Sequence, residues 1–394
     1  MRGAAAERSF ERIFRDVARS RVAEEAWRAF AERGLPTTHD EDWRFTPLGA
    51  LESLEFLGLE VGEIPAAELA QARALVGDAR LTAGELPESL GPVLDPKLAP
   101  FAALNAALAT GGDSVDVAAN CGKALPFHLI RWLGAGPARV TSPRSRIVVR
   151  EGGSATVIEH FAGAASSKSL SNSATELVLE AGAKLRYVQL QELPDSAFHV
   201  ASLASRQAAG SRLEIVSIAL GARLSRTEIR STLEGEGAEL ELNGLYLGRG
   251  TQHQDHHTTI DHASPRTTSH ELFKGILDGR AHGVFHGRIH VRPHAQKIDA
   301  SQTNRALLLA DGPVLDSKPQ LEIYADDVKC SHGASVGQLD ADQIFYLRAR
   351  GLDLATARSL LTFAFASEVL EKLPLPALRE SLEARLLGWL GGGR

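Results

Sequence analysis

Apolar residues recur at helical spacing at the start of the chain, with Phe10, Ile13, Phe14 and Val17 falling on one face. A second run, AEEAWRAFAERG, closes on Gly34, a glycine stop. The loop LPTTHDEDWRFTPL follows, punctuated by Pro36 and Pro47. Its Trp43 and Phe45 read either as a plug pinning the loop to its neighbours or as a ligand-stacking pair. FAALNAALATGGD adds a short helix with a glycine stop, so residues 1–124 are assigned as a mainly helical region.

Over residues 125–337 the period falls to two and turn glycines recur, in EGGSATVIEHF, EAGAKLRYVQLQ, AAGSRLEIVSIAL and GEGAELELNGLYL. Taking Gly153, Gly182, Gly210 and Gly237 as the turn residues gives separations of 29, 28 and 27, the mark of a solenoid. Leu213, Ile215 and Ile218 around Glu214 and Ser217 fit a strand with one buried face. A period of that length holds two or three strands of about 6 residues, which favours a β-helix over a sandwich of hairpins. AHGVFHGRIHVRP separates by parity, with Phe285, Gly287, Ile289 and Val291 toward the core and His282, His286, Arg288, His290 and Arg292 away from it. Gln302 and Asn304 are expected to stack their amides between coils.

Residues 338–394 return to the helical period. In GQLDADQIFYLRARG, Asp340 and Gln343 form a capping box, Leu339 and Ile344 sit at staple spacing, and Gly351 supplies the stop. DLATARSLLTFAFASEVLEKL then gives a longer helix ending before Pro374, and PALRESLEARLLGWL an amphipathic one beside it.

Composition narrows the function classes. The formal net charge of −6 is spread without a basic block, which argues against nucleic acid as the partner. Arg223, Arg226 and Arg230 make the nearest approach to a basic stripe and read as a solvated face. No run reaches the roughly 18 apolar residues that a membrane span needs, and the N-terminus lacks the apolar core of a signal peptide. It reads as a cytoplasmic helix. The two cysteines, Cys121 and Cys330, build no disulfide framework, and a reducing compartment fits.

Two clusters could carry chemistry. QHQDHHTTIDH holds His253, Asp255, His256, His257, Asp261 and His262, but strand parity puts His256 and His262 on the face opposite His253 and His257. A catalytic zinc built there would therefore need ligands from separate coils. The second cluster is ADDVKCSHG, where His332 stands two places after Cys330. A nucleophilic Cys–His pair is one reading, although i and i+2 on a strand lie near 7 Å apart, too far for direct proton transfer. Half of a metal site is another, since thiolate and imidazole both suit iron and iron–sulfur clusters. Cys121 is remote in sequence, so the missing ligands would come from a second chain. No nucleophile elbow, P-loop or dinucleotide fingerprint is present.

The block KPQLEIYADDVKCSHGASVGQLDADQIFYLRARGL resembles the SufB/SufD family of the SUF iron–sulfur cluster assembly machinery, in its SufD branch. GLPTTHDEDWRFTPL, HTTIDHASPRTTSHELFKGILDGRAHGVFHGRIHVRPHAQKIDASQTNRALLL and the C-terminal helices extend the resemblance over nearly the whole chain. It implies a right-handed parallel β-helix core (125–337) between an N-terminal helical region (1–124) and a C-terminal helical domain (338–394). It also implies a non-enzymatic scaffold that pairs with a SufB-like subunit and docks a SufC-like ATPase, with sulfur supplied by a cysteine desulfurase system. Cys330 and His332 match the family's interface positions, where His332 would be the ligand of a transient cluster or iron and Cys330 a second or accessory one. ATP would enter only through the partner ATPase. Phe345, Tyr346, Arg348 and Arg350 are the candidates for docking it, although Phe345 and Tyr346 read equally well as core. A SufB assignment fits less well, because no cysteine lies between 121 and 330. Two rivals are a β-helical polysaccharide hydrolase or lyase and a stand-alone metal hydrolase using the 253–262 cluster. The low aromatic content of 6% leaves the first few sugar-stacking platforms.

Overall fold

The computed structural model describes residues 4–17, 20–60, 64–76, 80–81, 99–122 and 125–391. The stretch 82–98, within the region expected to be mainly helical, lies outside them.

From Gly111 to Gly337 the chain alternates between two sheets, and every pairing within them is parallel. The first sheet runs from Gly111–Val117 through Pro143–Val149, Leu170–Leu179, Phe198–Gln207, Leu224–Leu233, His253–His262 and His282–Val291 to Val314–Ile323. The second begins with the two-residue strand Arg80–Leu81 and runs from Phe127–Leu133 through Ser154–Gly163, Lys184–Gln191, Arg212–Ala219, Glu239–Gly248, Thr268–Leu277 and Ile298–Leu308 to Val328–Gly337. The result is a parallel β-solenoid of about eight turns, with two strands in each coil. A sandwich of hairpins would need antiparallel pairs. Gly111–Val117, within the region expected to be mainly helical, already belongs to the solenoid.

The turn glycines carry the left-handed backbone that lets one coil step to the next. Gly152, Gly182, Gly210 and Gly237 have φ of 60°, 64°, 62° and 70°; the left-handed residue of that turn is thus Gly152 rather than Gly153. Arg266 and Lys297 continue the column at φ of 56° and 60°.

Leu213 and Ile215 point between the sheets, into a core shared with Leu203, Ile229, Leu240 and Phe285. Ile218 faces the other way, together with Val216, because the outside of the second sheet is covered as well. There Ala366, Val369, Leu370, Leu378, Leu382 and Leu386 pack on Ile158, Val188, Leu245 and Ile276. They come from helices Leu354–Leu370 and Pro376–Gly391. The first sheet is covered by the N-terminal region, where Phe10, Phe30, Trp43 and Phe101 pack against Leu170, Phe198, Val200 and Leu224.

Helix Ala5–Asp16 buries Phe10, Ile13 and Phe14, and helix Arg21–Arg33 ends on Gly34 at φ 70°. Trp43 is the plug: it is buried, stacks on Phe101 at 5.3 Å and covers the Arg226 guanidinium at 3.9 Å. Arg226 is therefore no part of a solvated basic face. It is 1% exposed and ion-paired to the fully buried Asp255. The glycines after helix Pro100–Ala107 open the first strand rather than terminate the helix.

Candidate functional site at the open end of the solenoid

Among the described residues, no strand pairs with the outer edge of the last coil. Val314–Ile323 and Val328–Gly337 are the terminal strands of their sheets, so each has one unpaired edge. Residues 331–338 are exposed throughout. An edge of unpaired N–H and C=O groups is normally blunted. Pro319 does this in the first sheet, where its missing N–H is tolerated only at an edge. Val328–Gly337 carries no proline.

Register fixes where Cys330 and His332 point. Cys330 lies opposite Ala300 and His332 opposite Gln302, the inward-facing parity of that strand. Cys330 is half-buried against the interior core, and its thiol is pushed up by burial and then by the Asp299 carboxylate. A raised thiol keeps its proton, the reverse of what an activated nucleophile needs. His332 is exposed at the mouth. The sequence-level pair is thus brought to one rim, on one side of one strand.

Behind His332 the interior is polar, and beyond the amides expected from the sequence it holds a buried carboxyl. Gln302 donates from Nε2 to Glu271 Oε2 at 2.7 Å. Burial pushes the Glu271 carboxyl up to about 7. Gln302 reaches it because residue 287 is glycine; a Cβ there would stand 2.1 Å from Gln302 Nε2. Asn304 donates to Ser317 Oγ at 2.9 Å, so both amides reach a neighbouring coil, but they meet a carboxyl and a hydroxyl there rather than stacked amides. His256 is buried one coil deeper, between Tyr246 and Phe273, with burial holding it down to about 4.

The 253–262 cluster divides as parity required. His256 and His262 face the interior, where His262 is bonded to Thr267 and Ser269. His253, Asp255, His257 and Asp261 face outward, but into different partners: Thr46 bonds His253 and Asp255, and Arg292 bonds Asp261. The six do not converge. The outward histidines are not simply a surface ladder either, since His257 and His286 are only 9% and 6% exposed beneath the N-terminal loop.

Asp340 caps its helix as the sequence reads, while the reciprocal Gln343 side-chain bond of a capping box is not among the bonds of the described residues. Asp340 Oδ1 accepts from the backbone N–H groups of Asp342 and Gln343, and Gly351 follows with φ 93°. Helix Ala341–Ala349 buries none of its side chains. Phe345 and Tyr346 are 73% and 57% exposed, and the Arg350 guanidinium lies over the Tyr346 ring at 4.9 Å. Arg348 is also exposed. Of the two readings for these aromatics, the exposed one holds.

The chain is thus a parallel β-solenoid with helices docked on both sheets and with Cys330 and His332 at its open end. Residues 132–365 match the family model described as SUF system FeS cluster assembly, SufBD core domain, and the chain belongs to that family. It is 30% identical to the iron–sulfur cluster assembly protein SufD of Escherichia coli, over 95% of this chain and 94% of that one. It is 33% identical to a SufBD family protein of Synechocystis, over 88% and 86%, and 30% identical to one of Mycobacterium tuberculosis, over 89% and 88%. Among the described residues, no helix is long and apolar enough to cross a membrane.

Proposed function

We propose that this chain is a non-enzymatic scaffold subunit for iron–sulfur cluster assembly, joined to a SufB-like subunit through the open end of its solenoid. The observation that supports this reading is the proline-free edge Val328–Gly337, with Cys330 and His332 on its inward side. An edge strand accepts a partner strand through its main-chain groups. A strand added there closes the mouth over the imidazole and the thiol.

Two donors are too few for a four-ligand iron or cluster site, so the partner supplies the others. The cluster is cargo, held transiently. His332 is the principal ligand of this chain, and Cys330 the accessory one, because its raised thiol must release a proton on binding. Sulfur reaches the complex from a cysteine desulfurase system. The exposed Phe345, Tyr346, Arg348 and Arg350 dock a SufC-like ATPase, and ATP enters only through that subunit. Its hydrolysis rearranges the subunit pair and opens the buried mouth.

The test is the His332→Ala variant. It is expected to fold and to co-purify with the SufB-like and SufC-like proteins of the same cell, yet to assemble less cluster on anaerobic reconstitution. Assembly at the wild-type yield overturns the ligand role.

A further inference from the structure

On the outer face of the first sheet, His257 and His286 lie directly opposite each other on adjacent strands, with ring centroids 4.8 Å apart. The turn Glu41–Trp43 crosses above them and brings Asp42 within 3.9 Å of His286 Nδ1. One ligand atom from each of the three lies within 4.8 Å of the other two. We propose that Asp42, His257 and His286 bind one divalent transition-metal ion, Zn2+ or Fe2+, between the N-terminal turn and the solenoid.

Three further observations favour an ion over a chance meeting. His286 is 6% exposed, and the ring nitrogen it turns toward Asp42 is Nδ1. His257 has its Nε2 3.1 Å from Oδ1 of the fully buried Asp255. A buried carboxylate at ion-pair distance, outside hydrogen-bonding geometry, holds one side of the ring and leaves its other nitrogen to the ion. Asp255 is itself fixed by Thr46 at 2.6 Å and by Arg226 under the Trp43 ring.

Nearby cations are already paired: Lys318 with Glu41 at 2.6 Å, Arg288 with Glu322 at 3.5 Å and Arg226 with Asp255. Two imidazoles and one carboxylate suit zinc or ferrous iron rather than magnesium or calcium, which prefer all-oxygen sites. Metal–nitrogen bonds of about 2.0–2.1 Å require the three groups to draw together. The half-exposed Asp42 side chain has the freedom to supply that movement. The site is on the outer face, separate from Cys330 and His332 inside the mouth.

The experiment titrates Zn2+ against a chromophoric chelator, using the full chain with both Cys330→Ala and His332→Ala so that the open end does not compete. One tight equivalent per chain is expected, with affinity falling at least tenfold in Asp42→Asn, His257→Ala and His286→Ala and unchanged in His290→Ala. If a histidine variant fails to fold by circular dichroism, Asp42→Asn decides alone, since that side chain is half exposed. No bound equivalent, or one that Asp42→Asn leaves at full affinity, overturns the site.

Discussion

His332 stands directly across from Gln302 in the last strand pairing of the second sheet, and Gln302 in turn donates to Glu271 one coil further in. The mouth is therefore the exposed end of a polar file rather than a lone histidine on an apolar rim. A partner that covers it meets hydrogen-bonding groups already oriented by buried neighbours.

Glu271 gives that file a pH signature. Its carboxyl is raised by burial to about 7 in the folded chain, against an ordinary value of 4.5. The native state keeps a proton that the unfolded chain has released. Its contribution to stability is complete below about pH 4.5 and is lost as pH rises through about 7, a change of roughly 3 kcal/mol. Urea unfolding of the wild type should weaken over that window relative to Glu271→Gln. Parallel profiles for the two proteins would contradict the buried, protonated carboxyl.

Arg226 and Asp255 form a buried ion pair beneath Trp43. Burial alone would raise the Asp255 carboxyl, but the Arg226 guanidinium, with His257, holds it well below the usual carboxylate range. Arg226→Met strands that charge and is expected to cost about 3–5 kcal/mol, whereas Arg226→Met with Asp255→Leu recovers much of the loss. Denaturant midpoints of the single and double variants measure this. A single variant within about 1 kcal/mol of wild type would show that the pair is not held as described.

Phe345 and Tyr346 are exposed on a helix that buries nothing. Replacing both with alanine is expected to change stability by no more than about 0.5 kcal/mol at each position. Affinity for the SufC-like ATPase, read by calorimetry, should fall at least tenfold, or about 1.4 kcal/mol. A loss of stability without a loss of affinity would place them in the fold instead.

Much of the architecture was legible because it is local. Alternation along Leu213 and Ile215, glycines at the turns and the Asp340 cap are short-range features with short-range causes. The repeat faded after Gly237 because Arg266 and Lys297 occupy the left-handed positions that glycine held earlier. What the sequence hid was which outer faces are covered. Ile218 and Arg226 are buried by helices and a loop distant in the chain, and alternation within a strand carries no record of that. That Cys330 and His332 lie on one side of one strand was legible, since they stand two places apart in it. The association of Asp42 with His257 and His286 was not, because the solenoid and the N-terminal turn meet only in the folded chain.

Amide hydrogen exchange across Val314–Ile323 and Val328–Gly337, with and without the SufB-like partner, tests the central proposal most directly. In the free chain the unpaired edge of Val328–Gly337 should exchange rapidly, and binding should slow it at the outward N–H groups around His332. A stable complex that leaves those amides unprotected would contradict pairing at the open end.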